Sequence, residues 1–202
     1  MDARTWNERY AASELVWSRE PNRFVASELA DLKPGTAVDL GAGEGRNAIW
    51  LASRGWSATA VDFSQVALDK GARLAEDLDV TWVCADATRW QPPEPVDLVV
   101  MAYFQVPAED RRRAVRGAYT MLRHGGTLLL VAHDSTNIAE GTGGPQDPSV
   151  LMTAEDVLAD LDGLEVEVVR AERVAREVSA ADGHGGEERR TAWDCLVRAV
   201  RR

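Results

Sequence analysis

The 202-residue chain has little of what builds disulfide frameworks, metal centres or membrane spans. Its two cysteines, Cys84 and Cys195, lie far apart without CxxC spacing, so we expect two buried free thiols. The three histidines are too scattered to indicate a metal motif. No apolar run approaches the roughly 18 residues of a membrane helix, and the polar N-terminus has no signal-peptide core. We therefore expect a cytoplasmic protein without metal or membrane association.

Positive charge is also scarce, because 23 Lys and Arg face 33 Asp and Glu and leave a formal net charge of −10. Such a chain repels phosphate backbones and anionic lipids, so we expect neither nucleic acid nor membrane as a partner. The basic run Arg111-Arg112-Arg113 is interpreted as a solvated helix face, because Glu109 and Asp110 open the same helix. A small molecule is the expected substrate.

What the chain does contain is a regular alternation of strand-like and helical segments, in a length that suits a single α/β domain over residues 1–202. This alternation predicts a doubly wound, Rossmann-like sheet with right-handed crossovers. The predicted strands are Thr36–Leu40, Ser57–Val61, Val80–Cys84, Val96–Ala102 and Thr127–Ala132, and the intervening helices are about Arg46–Ser53, Gln65–Asp77 and Glu109–Leu122.

Three segments lie outside this alternation. Residues 1–32 form two helical segments that we interpret as an N-terminal cap. From Leu164 onward, two long strand-like segments flank the Gly-rich stretch Ala180–Glu188, which predicts a C-terminal antiparallel β-hairpin and a seven-stranded, mostly parallel sheet. Residues 133–150 are rich in Gly, Pro, Asn and Asp, and so long an irregular segment is usually functional. They follow the fifth strand, at the edge where such sheets bind ligands, so we expect a substrate lid.

The most informative segment is Val38-Asp39-Leu40-Gly41-Ala42-Gly43-Glu44-Gly45-Arg46-Asn47. Its glycines let the backbone approach a ligand closely at the start of a helix, where the N–H groups and the positive helix end face it. The third glycine comes one residue too early for the dinucleotide fingerprint, which disfavours NAD. Asp62 ends the next strand, where a carboxylate can accept hydrogen bonds from both ribose hydroxyls. The pattern predicts a nucleoside cofactor, with S-adenosylmethionine (SAM) as the leading candidate.

The order and spacing of Asp39-Leu40-Gly41-x-Gly43-x-Gly45-Arg46-Asn47, Leu51-Ala52, Gly55 and Asp62 resemble the cofactor signature of class I SAM-dependent methyltransferases. Within that superfamily the chain resembles the small tellurite-resistance type methyltransferases, and Trp6-Asn7-Glu8-Arg9-Tyr10 extends the likeness. The resemblance implies methyl transfer from SAM to a small molecule, a thiol or metalloid oxyanion included, with S-adenosylhomocysteine (SAH) as product. Two alternatives remain open: an O- or N-methyltransferase of a small aromatic or secondary metabolite, and a non-catalytic module that binds SAM or SAH. A monomer or homodimer is expected.

The same resemblance implies roles for individual residues around the cofactor. Asp39 would hold the methionyl amine, Asp62 the ribose hydroxyls and Asp86 the adenine amine, with Phe63 beside the adenine ring. Aromatic side chains near the N-terminus would close over the sulfonium. The expected cofactor-binding residues are Tyr10, Trp17, Asp39, Gly41, Ala42, Gly43, Arg46, Asn47, Asp62, Phe63, Ser64, Asp86, Ala87, Met101 and Ala102.

The acceptor side is expected at the ends of the fourth and fifth strands. Its candidate substrate-binding residues are Arg9, Tyr103, Gln105 and His133. Among the histidines, His133 alone falls at the carboxyl end of a predicted strand, which makes it the candidate general base. A thiolate or metalloid oxyanion needs no strong base, whereas a phenol or alcohol benefits from one. The identity of the base would therefore report the class of acceptor.

Overall fold

A seven-stranded sheet dominates the computed structural model, which describes residues 3–178 and 190–202. The order of the strands across the sheet is β3-β2-β1-β4-β5-β7-β6, and β7 runs antiparallel to the other six strands. This arrangement confirms the expected doubly wound sheet with its C-terminal hairpin strands. The strands are β1 Thr36–Leu40, β2 Ser57–Asp62, β3 Val80–Cys84, β4 Val96–Ala102, β5 Leu122–His133, β6 Val166–Val178 and β7 Arg190–Arg201.

The expected helices lie close to their expected places, and two further helices, α6 and α7, are present. They are α1 Ala3–Ala11, α2 Arg23–Leu29, α3 Arg46–Ser53, α4 Gln65–Ala75, α5 Ala108–Met121, α6 Asn137–Glu140 and α7 Ala154–Asp160. Helix α7 begins with a capping box, in which the Thr153 hydroxyl accepts from the Asp156 N–H and the Asp156 carboxylate accepts from the Thr153 N–H. Residues 133–150, expected to be irregular, contain α6 and a 3₁₀ turn at Pro148–Val150.

Apolar side chains pack on both faces of the sheet. Leu51 of α3 and Val25 of α2 are fully buried against one face, whereas Val115 of α5 and Val157 of α7 are fully buried against the other. Strands β1 and β4 are neighbours, and the chain continues from them toward opposite edges of the sheet. Ligands bind at such a switch point in doubly wound folds.

Two expectations about side-chain burial are wrong. Cys84 is exposed, because it ends the edge strand β3, whereas Cys195 is buried as expected and burial raises the pKa of its thiol. Arg111 does not lie on a solvated helix face, since its Nε is 2.6 Å from Oδ2 of Asp160, whose carboxylate is fully buried. The reason is α7, an element that brings Asp160 onto α5.

The stretch Ala180–Glu188, expected to join the hairpin strands, lies outside the described residues. In the described part of the chain, none of the helices is long and apolar enough to cross a membrane.

Candidate active site

The glycine loop between β1 and α3 is closed over by aromatic side chains. Gly41 has φ +70° and Gly43 has φ +56°, in the region that side-chain-bearing residues rarely adopt. A Cβ atom on Gly41 would lie 2.4 Å from the Phe104 ring, and one on Gly43 would lie 2.6 Å from Oη of Tyr10. The loop therefore needs glycine for its backbone shape and for the close approach of its neighbours.

Asp39, the second-last residue of β1, is the least satisfied polar group at the site. It is 1% exposed, and neither carboxylate oxygen completes a hydrogen bond within residues 3–178 and 190–202. Burial raises the pKa of Asp39 to about 7, while the approaching N–H of Ala48 and the charge of Arg46 oppose the rise. A buried carboxylate without partners is costly. The arrangement fits a cationic ligand.

Asp62, at the end of β2, is held by the backbone. Its Oδ2 accepts from the N–H of Gly43 at 2.9 Å, and its Oδ1 accepts from the N–H of Ser64 at 2.8 Å. Burial raises the pKa of Asp62, and these two hydrogen bonds oppose that shift. Ser64 caps α4, because its hydroxyl accepts from the N–H of Ala67. Asp62 thus joins the glycine loop to β2, and ribose binding by Asp62 stays a prediction.

The N-terminal segment lies against the glycine loop. Tyr10 is buried, and its hydroxyl accepts from Nε1 of Trp17 at 3.2 Å. Burial raises the pKa of Tyr10 to about 12, so the phenol stays protonated at neutral pH. Arg9 is exposed and lies over the rings of Trp6 and Trp17, with its guanidinium carbon 4.9 and 5.3 Å from their centroids. The structure thus brings Tyr10 and Trp17 to the loop but leaves Arg9 outside it.

Glu44 and Lys70 fasten that segment and do not stand out in the sequence. The buried carboxylate of Glu44 accepts from the N–H groups of Val16 and Trp17, both at 3.1 Å. Lys70 lies 3.4 Å from Glu44 and donates to the carbonyl groups of Tyr10 and Ser13. The only signal in the sequence is that Lys70 is one of two lysines. We call residues 10–17 the strap.

The residues expected around adenine follow β2 and β3, which pair in register through Asp62 and Cys84. Phe63 is partly buried and Ala87 is buried. Asp86 is exposed, and its Oδ1 accepts from the N–H and hydroxyl of Thr88 at 2.9 and 2.7 Å. The Asp86 side chain therefore forms a local turn. Its role toward adenine stays a prediction.

A second polar cluster surrounds Asp194 of β7, whose side chain is fully buried. The hydroxyl of Tyr103 and Nε of Arg176 donate to Oδ2 of Asp194, at 2.9 and 2.8 Å. Nδ1 of His133 lies 3.3 Å from Oδ1 of Asp194. Burial by itself would raise the pKa of Asp194, but His133 and Arg176 outweigh it and hold that pKa below its usual value. We call these four side chains the Asp194 cluster.

Backbone geometry and the loop after β5 fix this cluster. Tyr103 has φ +56°, an uncommon backbone conformation for a bulky residue, and its N–H donates to the carbonyl of Val131. A Cβ on Gly144 would lie 2.9 Å from the His133 ring, so the loop packs directly on the imidazole. Gln105 donates to the carbonyl of Val150 at 3.2 Å. The expected substrate residues after β4 and β5 thus meet residues 133–150.

Arg46 is the first residue of α3 and directly follows the glycine loop. Burial lowers the pKa of Arg46, and Tyr103, Asp39 and Arg176 all interact with its charge. In the described part of the chain, the one hydrogen bond that its guanidinium donates goes to the hydroxyl of Ser18, at 3.5 Å.

The other expected cofactor-binding residues are backbone or packing positions. Asn47 is buried and accepts from the N–H of Asn22, just before α2. Ala42 donates to the carbonyl of Val61. Met101 is fully buried, and Ala102 is partly buried.

The switch point, the glycine loop, and the acids Asp39 near the end of β1 and Asp62 at the end of β2 define the class of fold, which is that of class I SAM-dependent methyltransferases. Residues 37–126, just under half of the chain, match a family described as a methyltransferase domain. The expected fold and the resemblance to this superfamily are therefore confirmed.

Solved structures agree over nearly the whole chain. TehB from Haemophilus influenzae superposes with a TM-score of 0.72 at 17% identity, over 90% of this chain and 63% of that one. The N-methyltransferase NodS from Bradyrhizobium japonicum, solved with SAH, also has a TM-score of 0.72, at 19% identity over 100% of this chain and 99% of that one. At these identities the likeness establishes the fold.

A ribosomal RNA small subunit methyltransferase C from Alcanivorax borkumensis is 32% identical over 110 residues. The match spans 50% of this chain and 33% of that enzyme's length. The expectation that nucleic acid is not a partner, which rests on the net charge, is not supported by this relative.

Proposed function

We propose that the protein is a methyltransferase that transfers the methyl group of SAM to a small-molecule acceptor. The observation that carries the proposal is Asp39, a fully buried carboxylate without a hydrogen-bond partner in the described residues, beside a glycine loop at the switch point. The methionyl group of SAM bears the ammonium that such a carboxylate requires. The methyltransferase domain match over residues 37–126 supports the same assignment.

The residues present fit SAM. Asp39 would hold the ammonium, Asp62 the ribose hydroxyls and Asp86 the adenine amine, and the strap residues Tyr10 and Trp17 would cover the cofactor. When bound, SAM supplies a methyl group that its sulfonium charge already activates. The protein then mainly aligns the acceptor and keeps the crevice dry, and alignment contributes about 7–11 kcal/mol in favourable cases.

The small-molecule acceptor is supported by the net charge of −10, which disfavours a polyanionic substrate. The loop at residues 133–150 packs on His133 and would serve as the acceptor lid. Thiols, metalloid oxyanions, alcohols, phenols and amines are the candidate acceptors. Ribosomal RNA is the rival that the Alcanivorax borkumensis enzyme raises.

The test has two stages. Calorimetry first measures the binding of SAM and SAH to the wild-type protein and to Asp39→Asn, with Asp69→Asn, an exposed change on α4, as the matched control. Purified protein then receives SAM labelled on its methyl group together with pools of thiols, metalloid oxyanions, phenols, amines and ribosomal RNA. The proposal expects Asp39-dependent binding and label in a small molecule. Binding without transfer would indicate a non-catalytic module, and label in RNA would overturn the small-molecule assignment.

A further inference from the structure

We propose that Asp194 positions His133 as the base that removes a proton from the acceptor, so the acceptor is an alcohol, phenol or amine. This inference rests on the proposed function and narrows it. It favours O- or N-methylation over methylation of a thiolate or metalloid oxyanion, which needs no base.

The two carboxylate oxygens of Asp194 have different neighbours, and Oδ1 faces His133. Oδ2 of Asp194 is already occupied by the Tyr103 hydroxyl and by Nε of Arg176. Oδ1 of Asp194 and Nδ1 of His133 are both buried, and within the described residues neither completes a hydrogen bond with any group. They face each other at 3.3 Å. The Nδ1 proton of a neutral His133 therefore belongs on the side of Asp194, which leaves Nε2 as the free acceptor.

Strand register builds this pair. His133 and Asp194 are directly paired residues of β5 and β7, and Arg176 comes from the adjoining strand β6. The Tyr103 ring is tilted against the imidazole, with 4.7 Å between the ring centroids. The imidazole is thus fixed from several sides, as a general base requires.

The charges around His133 are mixed. From the strands, Asp194 contributes an anion and Arg176 a cation that pairs with it. Tyr103 stays neutral because burial and the charge of Asp194 raise its pKa. Asp134 follows His133 in the chain, but its carboxylate accepts from the N–H and hydroxyl of Thr136. A proton gained at Nε2 would therefore be balanced chiefly by Asp194.

The cluster adjoins the glycine loop, because the ring of Phe104, the residue after Tyr103, packs on Gly41, and the charge of Arg46 interacts with both Tyr103 and Asp39. As the acceptor oxygen or nitrogen forms its bond to the methyl carbon, its proton passes to Nε2 of His133. The electron pair of the broken carbon–sulfur bond stays on sulfur. Atoms and charges then balance with no other reactant.

The first experiment needs no SAM. Nitrogen-15 NMR of histidine-labelled protein reports which ring nitrogen carries the proton. In the wild type we expect the Nδ1–H form of neutral His133. Asp194→Asn offers an amide donor in place of the carboxylate and is expected to shift His133 toward the Nε2–H form. An Nε2–H form in the wild type, or no change in the variant, would overturn the inference.

The second experiment compares two acceptor classes at saturating SAM. His133→Gln and Asp194→Asn should lower kcat about 100-fold for alcohols, phenols or amines, with little change in KM. Methylation of thiols offered at alkaline pH should change by less than about threefold, because a thiolate has no proton to lose. His124→Gln, which alters an exposed histidine of β5, is the matched control.

Failure of the inference is distinguishable from failure of the proposed function. If Asp194→Asn does not fold, His133→Gln and Tyr103→Phe carry the kinetic test, since Tyr103→Phe removes one bond to Asp194 and keeps the ring. Turnover that is unchanged in His133→Gln, or lowered equally for thiols and amines, overturns the inference alone. A wild-type protein that binds no SAM overturns both.

Discussion

Asp39 and Asp194 are two buried carboxylates in the same sheet with opposite surroundings. Asp39, near the end of β1, has no hydrogen-bond partner within the described residues, and burial raises its pKa to about 7. Asp194, on β7, is held by Tyr103, Arg176 and His133, and its pKa is lowered. The proposed cofactor half is thus left open for a cation, whereas in the proposed acceptor half Oδ2 of Asp194 is already occupied by protein donors.

This difference predicts stability changes of opposite sign. Without ligand at pH 8, Asp39→Asn should raise the free energy of unfolding by up to about 4 kcal/mol, because a buried charge is removed. Asp194→Asn should lower it by about 3 kcal/mol, because Arg176 loses its partner. Urea unfolding of both variants measures the contrast. If both variants changed the free energy of unfolding in the same direction, the contrast between the two carboxylates would be contradicted.

The pH dependence follows from the same shifts. Because the folded-state pKa of Asp39 is raised, its contribution to stability is full below about pH 4 and is lost as the pH rises to about 7. Because the folded-state pKa of Asp194 is lowered, its contribution is present above about pH 4 and is lost in more acid solution. Urea unfolding from pH 4 to 8 measures how the free energy of unfolding falls as the pH rises. The fall that Asp39 causes should be absent in Asp39→Asn and present in Asp69→Asn.

Ligand affinity should respond mainly to the cofactor half. Asp39→Asn should weaken SAM and SAH binding by about 100-fold, since both carry the same ammonium and the variant leaves it without a charged partner. Asp194→Asn should change SAM affinity by less than about threefold. Calorimetry at pH 8 checks both numbers. A larger loss in Asp194→Asn than in Asp39→Asn would reverse the assignment of the two halves.

The strap offers the smallest expected effect. Lys70→Met removes the ion pair with Glu44 and two hydrogen bonds to strap carbonyls, so SAM should dissociate about fivefold faster. Stopped-flow fluorescence, with Trp17 in the strap, measures the rate. Lys33→Met, which alters the other, exposed lysine, is the control. An unchanged rate would show that the strap does not retain the cofactor.

The two halves also differ in how far the sequence predicts them. Most of the residues proposed for the cofactor half lie in the contiguous stretch 39–64, where strand, glycine turn and helix follow from local patterns. Asp194 and Arg176 meet His133 only through the pairing of β5, β6 and β7, and long-range register leaves no local signal. The strap fastening by Glu44 and Lys70 was missed for the same reason, since α4 brings the lysine to the loop.

The most direct measurement is the proton balance of SAM binding at pH 6, obtained by calorimetry in buffers of different ionisation enthalpy. Cofactor-free Asp39 is largely protonated at this pH, and binding the ammonium requires its charged form. We therefore expect close to one proton to be released per SAM bound by the wild type, and none at pH 8. Absence of proton release at pH 6, or the same release from Asp39→Asn, would contradict the claim that Asp39 is the open anionic site.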